Sequence, residues 1–447
     1  MASDDLPIFE GSLLGQSHKV EALLGKGGFG FVTKCRNLET GKAVAVKVIK
    51  DLPGEAEQTK MEIDILKRLR CLDPDACNIV RCNGFFLDND LTCLVFELLD
   101  QSLFDYMEER RNRGLPVTEL RPVVHQLATA LTHLSSIGIV HADIKPENIM
   151  VVDRRQQPLK VKLIDFGLAF PASTAKPGVC LQTTWYRAPE VMMHIPFNDA
   201  IDMWSLGLVA AELATGYPLY PGEMNYDVLS FIIETQGQPA DYVLDRGVCT
   251  EYYFQYESNS EQHWRFKTPE EYDPGLYSED TRYTKLTCLD DLEQLMSGGQ
   301  QSDQRLLVDL IKRMLQLDAD QRIKPPEVLQ HTFFAPSLPQ SSPANICIEM
   351  MDTEESTPEV SQQPPCCLIT GPEILQCRVE RTTAYKAVEA EENTEEVDVR
   401  PENDGCLCRF FRAITHACYF NCTYFFTAVT HACDFYCNCT LSATSSV

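Results

Sequence analysis

One eight-residue segment constrains this chain more than any other: His141-Ala-Asp-Ile-Lys-Pro-Glu-Asn148. It sets a carboxylate, an ammonium and a carboxamide at fixed offsets. Seventeen residues after Asn148, behind the apolar strand Val161-Lys-Leu-Ile164, comes Asp165-Phe-Gly167. Transfer of a phosphoryl group from ATP needs this inventory. Asp143 can accept the proton of an attacking hydroxyl, Lys145 can steady the moving group, and Asn148 with Asp165 can hold magnesium. An isolated Asp-Phe-Gly carries little weight; the two motifs in this order and spacing carry much.

The N-terminal part supplies a matching nucleotide end. Gly25-Lys-Gly-Gly-Phe-Gly30-Phe-Val32 fits the pattern G-x-G-x-x-G-x-V. Glycines let a hairpin backbone approach phosphates and turn N–H groups toward them. Taken alone, the match fits an ordinary glycine-rich turn as well. Seventeen residues after Gly30, Lys47 closes the strand Ala43-Val-Ala-Val-Lys47, where an ammonium reaches the α- and β-phosphates. Glu62 lies one helical stretch further on and can pair with it. Leu94-Val-Phe-Glu-Leu-Leu99 reads as a buried strand running into a connection. There Phe96 closes the rear of a purine pocket, and the backbone from Glu97 to Leu99 holds the base.

Composition bounds the rest. The 447 residues with 44% apolar content suffice for one two-lobed enzyme domain and a tail. A net charge of −26 argues against nucleic acid as a direct partner, because phosphate binding needs clustered Lys and Arg. The acidic start Met1-Ala-Ser-Asp-Asp leads into no apolar core, so no signal peptide is expected and the 19 cysteines are expected as thiols. Residues 15–98 read as short strands around one helix, Gln58 to Arg70, with the alternating Ala43–Ile49 as a strand. Residues 99–334 read as mainly helical, with an amphipathic helix over Leu120–Ser136 and a buried one over Ile201–Ala214.

The character then changes. From Asn345 to Asp404 there are fifteen Asp/Glu against four Lys/Arg, so 335–405 is expected to be an acidic disordered linker. The stretch 406–447 holds seven cysteines among aromatic pairs and repeats Thr415-His-Ala-Cys418 as Thr430-His-Ala-Cys433. Three readings of it stand. It is an interaction tail, a lipidated or membrane-surface anchor through its cysteines, aromatics and Arg409/Arg412, or a zinc site through His416/Cys418/Cys422 and His431/Cys433/Cys437.

Over about residues 15–334 the chain resembles a eukaryotic protein kinase. Ala188-Pro-Glu190, with Arg322 as the partner of Glu190, and Asp202-Met-Trp-Ser-Leu-Gly207 add to the motifs above. Within that family Leu94–Leu99, His141–Met150 and Trp264-Arg-Phe-Lys-Thr-Pro-Glu-Glu-Tyr272 resemble homeodomain-interacting protein kinases, of the dual-specificity tyrosine-regulated (CMGC-type) class. The resemblance implies an α+β fold of two lobes, a small antiparallel sheet lobe (15–98) over a large helical one (99–334), with a disordered C-terminal tail. It implies ATP and Mg2+, with Asp143, Lys145 and Asn148 catalytic and Asn148 and Asp165 on the metal. The nucleotide site is implied at Leu24, Gly25, Lys26, Gly27, Gly28, Phe29, Gly30, Phe31, Val32, Ala45, Lys47, Glu62, Phe96, Glu97, Leu99 and Asp165. Thr183, five residues before Ala188, implies transfer to Ser or Thr hydroxyls of protein substrates, transcription regulators among them. A monomer in the nucleus or cytoplasm, or membrane-associated through the tail, is expected.

Two positions depart from the class. Cys180 stands seven residues before Arg187, where relatives carry a tyrosine that they phosphorylate themselves; Thr184 stands where an arginine favours proline after the target. Ala142 also removes one arginine, a mark of the subfamily. Loop activation by phosphotyrosine and strict proline direction are therefore in question. Cys180 shows no basic neighbour in sequence, and Cys71, Cys77, Cys82 and Cys93 read as packing residues. The rival to an active enzyme is a pseudokinase or scaffold that binds ATP and partners without efficient transfer.

Overall fold

The computed structural model describes residues 8–335 apart from 28–29, 51–55, 90, 259–262 and 276–279. Expectations for Gly28, Phe29 and everything beyond Ala335, the linker and the cysteine-rich tail included, fall outside the described residues. Apolar alternation builds the first lobe. Its strands are β1 (Leu13–Leu14), β2 (His18–Gly27), β3 (Gly30–Asn37), β4 (Ala43–Lys50), β5 (Cys82–Asp88) and β6 (Leu91–Glu97). They form one antiparallel sheet in the order β1-β2-β3-β4-β6-β5. Val44, Val46 and Val48 of β4 are buried on one face with Val20, Cys35, Cys93 and Val95. Period two then turns Ala45 and Lys47 to the opposite face. Full burial of each such side chain contributes roughly 1.5–3 kcal/mol.

Among the described residues this lobe has one helix, α1 (Ala56–Leu69), which buries Glu62, Ile65, Leu66 and Leu69 along one stripe. A carboxylate on an otherwise apolar stripe demands a cation opposite it, and this requirement reappears in the cleft.

Beyond Glu97 the chain becomes helical. The short strand β7 (Gln101–Ser102) leads into α2 (Leu103–Glu109), and α3 spans Val117–Ser136. That helix starts a turn earlier than its apolar period suggested. Pro116 immediately precedes it, and the polar Thr118-Glu119 pair hides the first turn. The strands β8 (Ile139–Val140), β9 (Ile149–Asp153), β10 (Gln157–Leu163) and β11 (Phe170–Pro171) frame the two motif loops; β8 pairs with β11 and β9 with β10. After the short α4 (Pro189–Met192), α5 (Ala200–Thr215) is buried along almost its whole length, as its uniform apolarity predicted. Gly216 ends it at φ +90, and a side chain there would collide with the carbonyl of Asn112. Among the described residues no helix is long and apolar enough to cross a membrane.

A buried ion pair locks this second lobe. The Arg322 guanidinium grips Glu190 through two bonds (Nη1–Oε1 2.6 Å, Nη2–Oε2 3.1 Å), with both side chains almost wholly buried. Its other N–H groups reach the carbonyls of Ala200 (2.8 Å) and Gln316 (2.9 Å). Stranding one partner of such a pair costs about 3–5 kcal/mol. Glu190→Gln, measured by urea unfolding, should therefore lose about 3 kcal/mol of stability.

Candidate active site

Lys47 is where the two lobes meet chemically. Its ammonium lies 2.8 Å from Glu62 Oε1 on α1 and 2.8 Å from Asp165 Oδ1, 118 residues away in sequence. Burial alone would lower the Lys47 pKa, but Asp165 and Glu62 outweigh it and push it up, so the side chain stays charged. Burial also pushes the Asp165 carboxyl up. The Lys47 charge and hydrogen bond, with the Gly167 N–H (3.2 Å), override this and hold it down at about 2. Glu62, 4% exposed, is pushed up by burial against the pull of Lys47.

Two residues in left-handed backbone set the motif loops. Ala142 (φ +62) and Asp165 (φ +58) break the regular chain so that neighbouring side chains converge. The Asp202 carboxylate on α5 accepts the N–H of His141 (2.7 Å) and Ala142 (2.8 Å), pinning the first loop. Burial pushes the Asp202 carboxyl up to about 7 against those two bonds. His141 Nδ1 accepts the Asp143 N–H, so Nε2 carries the proton and donates to Ile164 O at 2.9 Å. Burial lowers the His141 pKa and keeps this neutral tautomer, and the ring meets Phe166 edge-on at 4.9 Å.

The reacting groups close into one cluster. Asp143 Oδ1 accepts the Thr183 hydroxyl (2.8 Å), and Oδ2 faces Lys145 Nζ (3.0 Å) and accepts Asn148 Nδ2 (2.9 Å). Lys145 Nζ donates to the same Thr183 hydroxyl at 2.8 Å. Asn148 Nδ2 also reaches the Asp143 carbonyl (2.8 Å), which leaves Oδ1 as its acceptor face. Asn148 Oδ1 and Asp165 Oδ2 bond to nothing among the described residues. Two hard oxygens with open positions fit Mg2+, which keeps waters and takes phosphate oxygens as further ligands. No group of three His, Cys, Asp or Glu that could hold a metal occurs among the described residues.

The nucleotide residues assemble around the cleft in part. Gly25 pairs with Val32, Lys26 with Phe31 and Gly27 with Gly30 in the β2–β3 hairpin. Gly30 has φ +142, and a Cβ there would collide with the carbonyl oxygen of Val48, so only glycine fits. Leu24 is 52% exposed. Lys26 Nζ lies 5.6 Å from the Phe31 ring centre. Ala45 pairs with Phe96 across β4 and β6, and Phe96 packs against the core. The Glu97 N–H is committed to Arg81 O (3.0 Å). Leu99 is buried, and its N–H and C=O bond to nothing among the described residues, as an edge awaiting a purine requires.

A protein kinase domain model matches residues 18–334. The chain belongs to the protein kinase family. Among similar proteins, homeodomain-interacting protein kinase 1 of Mus musculus is 43% identical over 352 residues, 75% of this chain and 29% of its own length. Homeodomain-interacting protein kinase 1 of Caenorhabditis elegans is 41% identical over 339 residues (71% and 40%). Homeodomain-interacting protein kinase 4 of Homo sapiens is 37% identical over 331 residues (70% and 54%). The chain thus spans under a third to about half the length of these relatives.

The kinase activation segment explains how the altered positions are accommodated. Arg187 donates to Leu181 O (Nε, 2.8 Å), Asn225 Oδ1 (Nη1, 2.6 Å), Gln182 O (Nη2, 2.8 Å) and Cys180 Sγ (Nη2, 3.6 Å). Cys180 therefore does have a basic neighbour, seven residues on, which sequence adjacency hid. Gln182, at φ +65, uses its amide to hold Ile201 O, Ser205 Oγ and the Ala188 N–H. Tyr186 is 5% exposed with its hydroxyl on Glu212 (2.7 Å), so it offers no accessible phosphorylation site in this arrangement. The guanidinium that would grip a phosphate is already engaged by neutral groups of its own chain. Phosphatase-treated protein should keep transfer activity within about two-fold of untreated protein, read with mass spectrometry of the loop as the control.

Proposed function

We propose that this protein transfers the γ-phosphoryl group of ATP to Ser or Thr hydroxyls of protein substrates. The observation that carries the reading is the Thr183 hydroxyl held between Asp143 Oδ1 and Lys145 Nζ, both at 2.8 Å. It marks where an acceptor hydroxyl has a base and an ammonium within reach at once. The substrate hydroxyl gives its proton to Asp143 as its oxygen bonds to phosphorus, and the bond from the γ-phosphorus to the bridging oxygen of ADP breaks. Lys145 offsets charge on the moving group, and Lys47 holds the α- and β-phosphates against the lobe interface. Bound magnesium supplies charge neutralisation on the phosphates. Positioning and electrostatics carry most of the rate, because the protein has little covalent work to do. The six groups that the chemistry wants are present and bonded in two sets of three, Lys47 with Glu62 and Asp165, and Asp143 with Lys145 and Asn148, so the scaffold reading has nothing to favour it. The deciding measurement is radiolabel transfer to a basic protein: Asp143→Asn should lose it about 100-fold or more while ATP binding persists. Transfer that survives the substitution would sink the mechanism.

The loop next to Thr183 bears on substrate choice. The carbonyls of Leu181 and Gln182 each already accept from the Arg187 guanidinium, which makes them poorer acceptors for an N–H from a bound peptide. A residue without an N–H loses nothing there. This favours proline after the target hydroxyl, although the arginine of the class is replaced by Thr184. A peptide array should show proline preferred at that position; indifference would discard the idea. The names of these relatives speak of interaction with homeodomain proteins, and transcription regulators of that kind are proposed as partners.

A further inference from the structure

One buried charge takes no part in the chemistry above. Lys162 lies in β10 between Val161 and Leu163, both fully buried, and its own side chain is 1% exposed. An ammonium so deep is stable only with close partners. It has two, Asp75 Oδ1 and Glu97 Oε1, each at 2.6 Å. Asp75 is 60% exposed and follows α1, whereas Glu97 is the last residue of β6, where the connection expected to hold the base begins. Glu97 Oε1 also accepts the Arg81 N–H at 2.6 Å, and Arg81 reaches Asp75 Oδ2 at 2.5 Å. Leu163, the next residue, joins its backbone to Asn78 and Val80. Three segments are therefore tied at one ammonium. They are the loop after α1, the start of the connection that holds Leu99, and the strand that reaches Asp165 three residues later.

We propose that Lys162 is a positioning residue for the nucleotide. It draws the Glu97 carboxylate toward the loop after α1 and so fixes the 97–99 backbone in register with Asp165. This rests on the reading of the cleft as an ATP site. Without the ammonium, the Glu97 carboxylate keeps only the Arg81 N–H and loses its one neutralising charge, and turning it toward water twists the connection beside it. The base loses its backbone partners, while Asp143, Lys145 and Thr183, held from α5 and the activation segment, keep theirs.

The test is ATP titration by calorimetry alongside steady-state transfer, on the full chain. Lys162→Met should raise the ATP dissociation constant about ten-fold with kcat at saturating ATP within about two-fold of the parent, the signature of lost ground-state binding. The double variant K162M/E97Q, which removes the stranded charge, should recover to within about three-fold of the parent. Asp75→Asn should change little, since the Asn side-chain oxygen still accepts from the ammonium and Glu97 still neutralises it. Unchanged affinity in Lys162→Met, or a double variant as weak as the single one, overturns the proposal and leaves a merely structural lysine. If Lys162→Met does not fold, Lys162→Gln takes its place with the same expectations. A parent protein that neither binds nor transfers from ATP refutes the kinase reading itself, a result separable from these.

Discussion

Lys47 between Glu62 and Asp165 is the interaction on which the working shape of the molecule depends. An ammonium with 12% of its side chain exposed is stable only because two carboxylates meet it at 2.8 Å, one from the helix of the sheet lobe and one from the Asp-Phe-Gly loop. Each carboxylate is in turn poorly placed without the ammonium. Glu62 sits on an apolar stripe, and Asp165 occupies a left-handed backbone that costs free energy. Mutual need makes the arrangement cooperative. The same triangle takes up Asp165 Oδ1 and leaves Oδ2 without a partner among the described residues.

A second layer of buried polar contacts holds the loops that the triangle joins. Asp202 fixes the backbone before Asp143, His141 ties that loop to Ile164 just ahead of Asp165, and Arg322 locks Glu190 beneath. None of these groups touches a reacting atom. Each restrains a loop that its own sequence would leave mobile, and each would be costly to strand alone. The activation segment follows the same logic by different means. Where relatives are expected to place a phosphate, this chain uses carbonyls, a carboxamide and a thiol to occupy Arg187.

How much of this was readable beforehand varies with range. The inward face of β4 followed from valine alternation, and the full burial of α5 followed from its unbroken apolarity, because both are local periodicities. The motif residues announced their chemistry by spacing. Glu97 shows where such reading stops: its N–H is bonded to Arg81 O and its carboxylate to Lys162, pairings that no motif announces. The basic neighbour of Cys180 was missed although it lies only seven residues away, since a turn rather than a period brings it round. Lys162 gave no signal at all, because a lysine in a strand reads as a solvent-facing residue until two acids from distant segments are seen around it.

By itself, then, the sequence determined the fold family, the six chemical groups and the order in which they occur along the chain, since motif spacing and short-range periodicity are local properties. The tertiary structure alone decided which oxygens of Asp165 and Asn148 stay open, which hinge groups remain for a base, and what Arg187 holds in place of a phosphate. Those outcomes depend on contacts between residues tens to more than a hundred positions apart, where competition for each hydrogen-bonding atom is settled by packing rather than by pattern.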